Sequence, residues 1–126
     1  MPYVIDSDVL IDVSRGKLPA RDFVNALPEG WAISKVTALE LMVGARDKQD
    51  FAGIDRFLSQ YVIVPLRDSI GARAYDLVKR YSKSHGLHVF DSPIAATAME
   101  EALTLVTGNQ RHFGINDGLS LLIPVY

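Results

Sequence analysis

Apolar residues in this chain alternate between short continuous runs and longer segments in which they recur every three or four positions. The strand-like runs cover residues 3–5, 31–33, 61–66, 104–107 and 119–125. Runs of this length are typical of strands that are buried on both faces, as in parallel sheets. Their alternation with helical segments predicts an α/β fold, a three-layer α/β/α sandwich with a mostly parallel sheet of four or five strands.

The helical periodicity also predicts which side chains face the core. In the helix that follows the second strand, Val36, Leu39 and Val43 recur at the spacing of a buried stripe. Glu40 lies on a different face of the same helix. In the next helix, Phe51 belongs to the predicted core.

The composition limits the possible classes of protein. With 126 residues, 48% hydrophobic and 22% charged, the chain predicts one folded domain over residues 1–126. It has no cysteine, which excludes disulfide scaffolds and thiolate zinc sites and fits a reducing, cytoplasmic setting. We expect no signal peptide and no membrane span, because no apolar run approaches ~18 residues. A net charge of −2 argues against nucleic-acid binding driven by protein charge alone.

Oxygen-bearing side chains stand at or near several predicted strand ends. Asp6 ends the first strand, Glu40 lies in a helix that begins after a strand, and Asp91 begins a helix. Asn109 follows another strand. Such positions can converge at one edge of a parallel sheet, where ligands bind. Clustered carboxylates repel one another unless a cation is present, and Mg²⁺ and Mn²⁺ prefer oxygen ligands.

Each of these residues also has a purely structural interpretation. Asp6 and Asp91 can be helix caps, since Asp is a preferred residue at that position. Glu40 can pair with Lys35 or Arg46 on the surface.

The remaining polar candidates are less specific. His88 and His112 are not spaced with other imidazoles, so the sequence does not predict a zinc site. His112 can contact phosphate or be structural, and Asn109 can simply adopt a turn conformation. Asp8 and Asp12 lie on the first helix and are expected to support the site or face solvent.

Four stretches together resemble the PIN-domain family, and within it the VapC-like toxins of bacterial toxin–antitoxin pairs. The stretches are residues 3–11 (YVIDSDVLI), 34–44 (SKVTALELMVG), 91–98 (DSPIAATA) and 105–113 (LVTGNQRHF). The resemblance implies a ribonuclease that depends on Mg²⁺ or Mn²⁺. Asp6, Glu40 and Asp91 match the three acidic ligands of the family, and Thr107 with Asn109 matches its Thr-x-Asp/Asn element.

This sequence departs from the family pattern in places. Many members have Asp where Asn109 stands, so this chain carries one negative charge fewer near a second metal. Ser7 matches the small hydroxyl residue after the first Asp, whereas Asp8 stands where many members carry Asn or Ser. Ser7, Asp8 and Thr107 are expected to support the ligands.

The resemblance also implies partners. Such toxins usually form homodimers and are held inactive by a small antitoxin protein that covers the acidic pocket. The substrate would be RNA, for which Arg46, Arg111 and His112 are candidate contacts.

Two other functions fit parts of the sequence. In a haloacid-dehalogenase-like phosphatase, Asp6 would be the nucleophile and Asp8 the acid–base group. A catalytically inactive PIN domain would only bind RNA or a protein. The three retained acidic residues argue against an inactive domain, because mutually repelling carboxylates have no physical reason to persist without a cation.

Overall fold

The computed structural model describes residues 2–114 and 118–126. The strands are β1 (Tyr3–Ile5), β2 (Trp31–Ser34), β3 (Val62–Val64), β4 (Thr104–Val106) and β5 (Leu121–Leu122). Within the described residues they form one sheet in the order β3-β2-β1-β4-β5, and each neighbouring pair is parallel. The central strand is β1, in which Ile5 is in register with Ile33 on one side and Val106 on the other.

Helices cover both faces of the sheet. They are α1 (Ser7–Ser14), α2 (Leu18–Asn25), α3 (Lys35–Val43), α4 (Lys48–Leu58), α5 (Asp68–His85), α6 (Asp91–Glu100) and α7 (Gln110–Phe113). Successive residues of β1 point to opposite faces, so Val4 packs in the core beneath α5 and α6, whereas Ile5 packs beneath α1 and α2. The predicted three-layer α/β/α sandwich with a parallel sheet is confirmed.

The third and fifth strands are shorter than the sequence predicted. The third strand stops at Val64, before Pro65, which has no N–H group to donate to a neighbouring strand. The last strand covers only Leu121–Leu122 of the predicted residues 119–125. The predicted turn over residues 108–112 contains the start of the short helix α7, whose N-cap is Asn109.

The predicted core stripe of α3 was right for Val36, which is buried, and wrong for the other two residues. Leu39 is 53% exposed and Val43 86% exposed, whereas Thr37 is fully buried. The buried face of α3 is the one turned toward α1 and α6, and it includes Thr37 and Leu41. Phe51 in α4 is also 47% exposed, contrary to the prediction. None of the described helices combines the length and the apolar content needed to cross a bilayer.

Candidate active site

Asp6 lies where the central strand ends and α1 begins, and its side chain is only 5% exposed. Its backbone N–H donates to the Val106 carbonyl at 2.9 Å, which continues the pairing of β1 with β4. The Ser7 backbone N–H donates to Asp6 Oδ1 at 2.8 Å, and the Thr107 hydroxyl donates to Oδ2 at 2.7 Å. Both carboxylate oxygens are therefore fixed, and Asp6 caps α1 as well as facing the site.

The buried position of Asp6 makes its charged form costly. Its pKa is raised to about 7, mainly by burial and next by the nearby negative charge of Asp8. The hydrogen bonds from Thr107 and Ser7 act in the opposite direction, because they stabilise the carboxylate. A buried carboxylate in this state gains from a neighbouring positive charge.

Ser7 links the strand end to α3. Its hydroxyl donates to Glu40 Oε1 at 2.8 Å and lies 3.0 Å from the hydroxyl of the buried Thr37. Glu40 is thus held by Ser7, while Arg46, one of its two predicted surface partners, pairs with Asp50 at 3.4 Å. The arrangement fixes the Glu40 carboxylate near the end of β1.

A cavity of about 500 Å³ opens at this edge of the sheet. It is lined by Asp6, Ser7, Asp8, Ile11, Glu40, Asp91, Gly108 and Asn109. The predicted convergence of Asp6, Glu40, Asp91 and Asn109 is therefore what the structure shows. Thr107 lies behind the cavity, fully buried against Asp6.

Asp8 has a more definite place than the sequence indicated. It is exposed and lines the cavity, and its Oδ2 accepts a hydrogen bond from the Gly108 backbone N–H at 3.0 Å. A Cβ added at Gly108 would lie 2.9 Å from that oxygen. Glycine at residue 108 therefore allows Asp8 to form a hydrogen bond with the segment that carries Thr107 and Asn109.

Asp91 is the first residue of α6, and the N-cap is Phe90 without a side-chain hydrogen bond. Asp91 Oδ2 lies 3.6 Å from His112 Nδ1, and the Asn109 side-chain nitrogen lies 3.0 Å from the same His112 atom. The ring of His88 is close to that of His112, with centroids 5.1 Å apart. The histidines that the sequence left unconnected are thus brought together beside Asp91.

A second cavity of about 540 Å³ adjoins the first and shares Ile11 and Glu40 with it. Its lining includes Arg15 and Arg46, both exposed. Arg15 was missed in the sequence, although Asp8, Ile11 and Arg15 recur at the spacing of one helix face. Among the other predicted RNA contacts, Arg111 is exposed on α7.

The family model for the PIN domain matches residues 3–117. This chain belongs to the PIN-domain family. The PIN domain described here is 40% identical over 113 residues to Ribonuclease VapC10 from Mycobacterium tuberculosis, a match covering 87% of this chain and 84% of that protein. It is 32% identical over 114 residues to Ribonuclease VapC19 of the same organism, covering 87% and 90% of the two chains.

Solved structures give the same assignment. A chain of a toxin-antitoxin complex from Klebsiella pneumoniae superposes on this PIN domain with a TM-score of 0.82 and 29% sequence identity, covering 98% of each chain. The resemblance to VapC-like members of the family, inferred from four short stretches, is confirmed.

The side chains of this PIN domain suit a hard divalent cation. Four carboxylates, those of Asp6, Asp8, Glu40 and Asp91, face one cavity together with the amide of Asn109. Oxygen donors of this kind favour Mg²⁺ or Mn²⁺. Burial and then the charge of Asp8 raise the pKa of Asp6, and a bound cation would offset both effects.

Proposed function

We propose that this PIN domain is an endoribonuclease that depends on Mg²⁺ or Mn²⁺ and acts as the toxin of a toxin–antitoxin pair. The observation that carries the proposal is the convergence of Asp6, Glu40 and Asp91, from three separate elements, on one cavity. The ribonuclease names of the relatives at 40% and 32% identity support the same activity.

Asp6, Glu40 and Asp91 would hold the cation, with Asn109 beside them. When bound, the ion would offset the negative charge that builds up on the phosphodiester during cleavage. Thr107 orients the Asp6 carboxylate and Ser7 orients that of Glu40.

The adjoining cavity would accommodate the flanking part of the RNA. Arg15 and Arg46 line it, and guanidinium groups bind phosphate oxygens well. Arg111 and His112 lie on α7, for which Asn109 is the N-cap, and remain predicted RNA contacts. The protein as a whole is slightly acidic, so these local cations and the bound metal would have to attract the substrate.

We propose that the protein forms a homodimer and binds a small antitoxin in the cytoplasm, where its RNA substrate is found. Exposed apolar side chains support a protein interface: Leu39, Val43 and Phe51 are all at least 47% exposed on α3 and α4. The Klebsiella structure is a complex of a similar toxin with an antitoxin, which supports the same kind of partner here.

The geometry favours this proposal over the two other functions. For a phosphatase, Asp6 would have to attack phosphorus, yet both of its oxygens accept hydrogen bonds from Ser7 and Thr107. For a domain that only holds RNA, a cavity lined by four carboxylates would repel phosphate unless a cation were present.

The direct test measures RNA cleavage by the purified protein with Mg²⁺, with Mn²⁺ and with EDTA. Asp6→Asn, Glu40→Gln and Asp91→Asn should each lower the rate by about 10²-fold or more, the scale of losing one strong electrostatic contributor. Circular dichroism controls for folding, and Asp22→Asn on the exposed side of α2 is the matched control. Wild-type rates in all three site variants would refute the proposal. Hydrolysis of a phosphate monoester, measured in parallel, would instead support a phosphatase.

A further inference from the structure

A second group of potential metal ligands lies next to the carboxylate cavity. His88 is in the segment between α5 and α6, Asp91 begins α6, and His112 is in α7. One ligand atom from each of the three side chains lies within 4.8 Å of the others. His88 is exposed, while Asp91 and His112 are half-buried, so the group opens to solvent.

The donor atoms differ in kind from those of the carboxylate cavity. Two imidazole nitrogens and one carboxylate oxygen suit borderline ions such as Zn²⁺, Ni²⁺ or Co²⁺, whereas oxygen-only sites suit Mg²⁺ and Mn²⁺. We propose that His88, Asp91 and His112 form a separate site for a Zn²⁺-class ion, which shares Asp91 with the carboxylate cavity.

Backbone hydrogen bonds hold the main chain of His88 next to the start of α6. The His88 backbone carbonyl accepts hydrogen bonds from the backbone N–H groups of Asp91 and Ser92, at 3.1 and 3.2 Å. These bonds fix His88 one turn before Asp91. The site thus joins the start of α6 to α7, two elements that the sequence separates by a strand.

The side chain of Asn109 contacts the His112 ring. The side-chain nitrogen of Asn109 lies 3.0 Å from His112 Nδ1. An ion bound at Nδ1 would have to displace this contact, whereas an ion bound at Nε2 would leave it in place.

Sharing of Asp91 has a consequence that rests on the proposed function. Because one carboxylate would serve two sites, an ion held by His88 and His112 would weaken the hold of the cavity on Mg²⁺ or Mn²⁺. Zinc would then inhibit RNA cleavage by acting through the histidines, which do not line the carboxylate cavity.

The test uses the untagged full chain, since a polyhistidine tag would bind the same ions. Zn²⁺ affinity is measured by competition with a chromogenic zinc indicator. His88→Ala and His112→Ala should each weaken binding by about tenfold or more, since even residues that only support metal ligands cost 10–100-fold. His85→Ala removes the third imidazole of the chain and is the matched control. Unchanged affinity in both His88→Ala and His112→Ala, or a loss confined to His85→Ala, would overturn the proposal.

Nuclear magnetic resonance of the histidine rings gives an independent readout. Addition of Zn²⁺ should shift the ring signals of His88 and His112 together. His88 is exposed, so His88→Ala should fold normally and keep the test informative even if His112→Ala does not. Ring signals that do not respond to stoichiometric Zn²⁺ would also overturn the site.

Glu40→Gln separates this inference from the proposed function. It should weaken Mn²⁺ binding in the carboxylate cavity and leave Zn²⁺ affinity unchanged, because Glu40 is not one of the three ligands. Retained Zn²⁺ binding in a protein that cleaves no RNA would support the new site while refuting the ribonuclease.

If the protein does cleave RNA, the Zn²⁺ concentration that halves the rate should rise in His88→Ala. An identical inhibition curve would overturn the coupling through Asp91.

Discussion

The Thr107 hydroxyl donates a 2.7 Å hydrogen bond to Asp6 Oδ2 and joins two residues that are 101 positions apart in the sequence. Both side chains are buried, and the same hydroxyl oxygen accepts a hydrogen bond from the Asn109 backbone N–H at 3.0 Å. One hydroxyl group therefore sets the direction of the Asp6 carboxylate and the start of the segment that carries Asn109.

Thr107→Val should reduce both stability and metal affinity. The variant keeps the shape of the side chain but removes the hydrogen bond to Asp6, which should cost about 1–3 kcal/mol of unfolding free energy. Mn²⁺ affinity should fall by about tenfold or more, as for other partners of metal ligands. Urea unfolding and calorimetric titration measure the two effects.

Thr97→Val is the matched control for that variant. Thr97 is also fully buried, but its hydroxyl donates to the Pro93 carbonyl within α6. Its loss should leave Mn²⁺ affinity unchanged. Equal Mn²⁺ affinities for Thr107→Val and Thr97→Val would show that the Thr107 hydroxyl does not orient a ligand.

Asp6→Asn should stabilise the metal-free protein at neutral and alkaline pH. The folded protein holds the Asp6 proton up to a pKa of about 7, whereas the unfolded chain releases it near 3.8. Raising the pH through this window therefore destabilises the folded wild type, because the folded state binds more protons than the unfolded state. Asp6→Asn should not lose stability in this way, because asparagine carries no charge at any of these pH values.

Asp6→Asn should raise the free energy of unfolding by about 2 kcal/mol at pH 8. This gain is smaller than the difference between the folded and unfolded pKa values alone would give, because the amide replaces one hydrogen-bond acceptor of the carboxylate. The gain should shrink as the pH falls and vanish near pH 4. Urea unfolding in EDTA at several pH values measures it, with Asp22→Asn as control. A variant that is less stable than the wild type at pH 8 would contradict this account of Asp6.

Mg²⁺ or Mn²⁺ should raise the melting temperature. A ligand that binds only the folded state adds ~2.7 kcal/mol of stability at a concentration of 100 times its Kd. The effect should weaken in Asp91→Asn and decline below about pH 7, since protons compete with the cation for Asp6. Differential scanning fluorimetry with and without EDTA measures these shifts.

Asn109→Asp should strengthen metal binding, in contrast to Asp91→Asn. It adds a charged oxygen to the cavity, so the shift in melting temperature at a given Mn²⁺ concentration should increase. Melting curves that are identical in EDTA and in millimolar Mn²⁺, for wild type and Asn109→Asp alike, would argue against a metal site in this cavity.

Gly108→Ala should lower stability by about 1 kcal/mol, the scale of one hydrogen bond. Its Cβ would lie 2.9 Å from Asp8 Oδ2, and rotation of Asp8 away from it would break the bond to the Gly108 N–H. Gly71→Ala, in an open position on α5, is the control and should stabilise by about 0.5–1 kcal/mol. Additive effects of Gly108→Ala and Asp8→Ala would refute the predicted contact, since contacting residues should be non-additive.

The sequence predicted the layers of the fold because the strand signal was local. The run at residues 3–5 has no polar residue and stops at Asp6, so the strand and its end could both be predicted. The buried face of α3 could not be predicted, because apolar residues occur on most sides of this helix. Thr37 is buried since it meets Ser7 from α1, and this contact depends on how the two helices pack.

The site could be predicted where each residue stood at a strand end or helix start. Asp6 and Asp91 met that condition, whereas Glu40 lies within the helix that follows a strand and was supported by the family resemblance; all three line one cavity. His88 and His112 did not meet that condition, because they are 24 positions apart and neither follows a strand directly. Only the packing of α7 against α6 places their rings beside Asp91.

The position of β1 at the centre of the sheet has a consequence for biosynthesis. Asp6 is synthesised 101 residues before Thr107, to which it is hydrogen-bonded. The strand β1 pairs with both β2 and β4, so its pairing is complete only when β4 is present. Contacts between residues so distant in sequence form late, because the intervening loop must first be closed. A ribosome-bound chain therefore carries an unfinished cavity until residues 104–109 have emerged. The side chains that line the cavity, from Asp6 to Asn109, are therefore brought together only after that release.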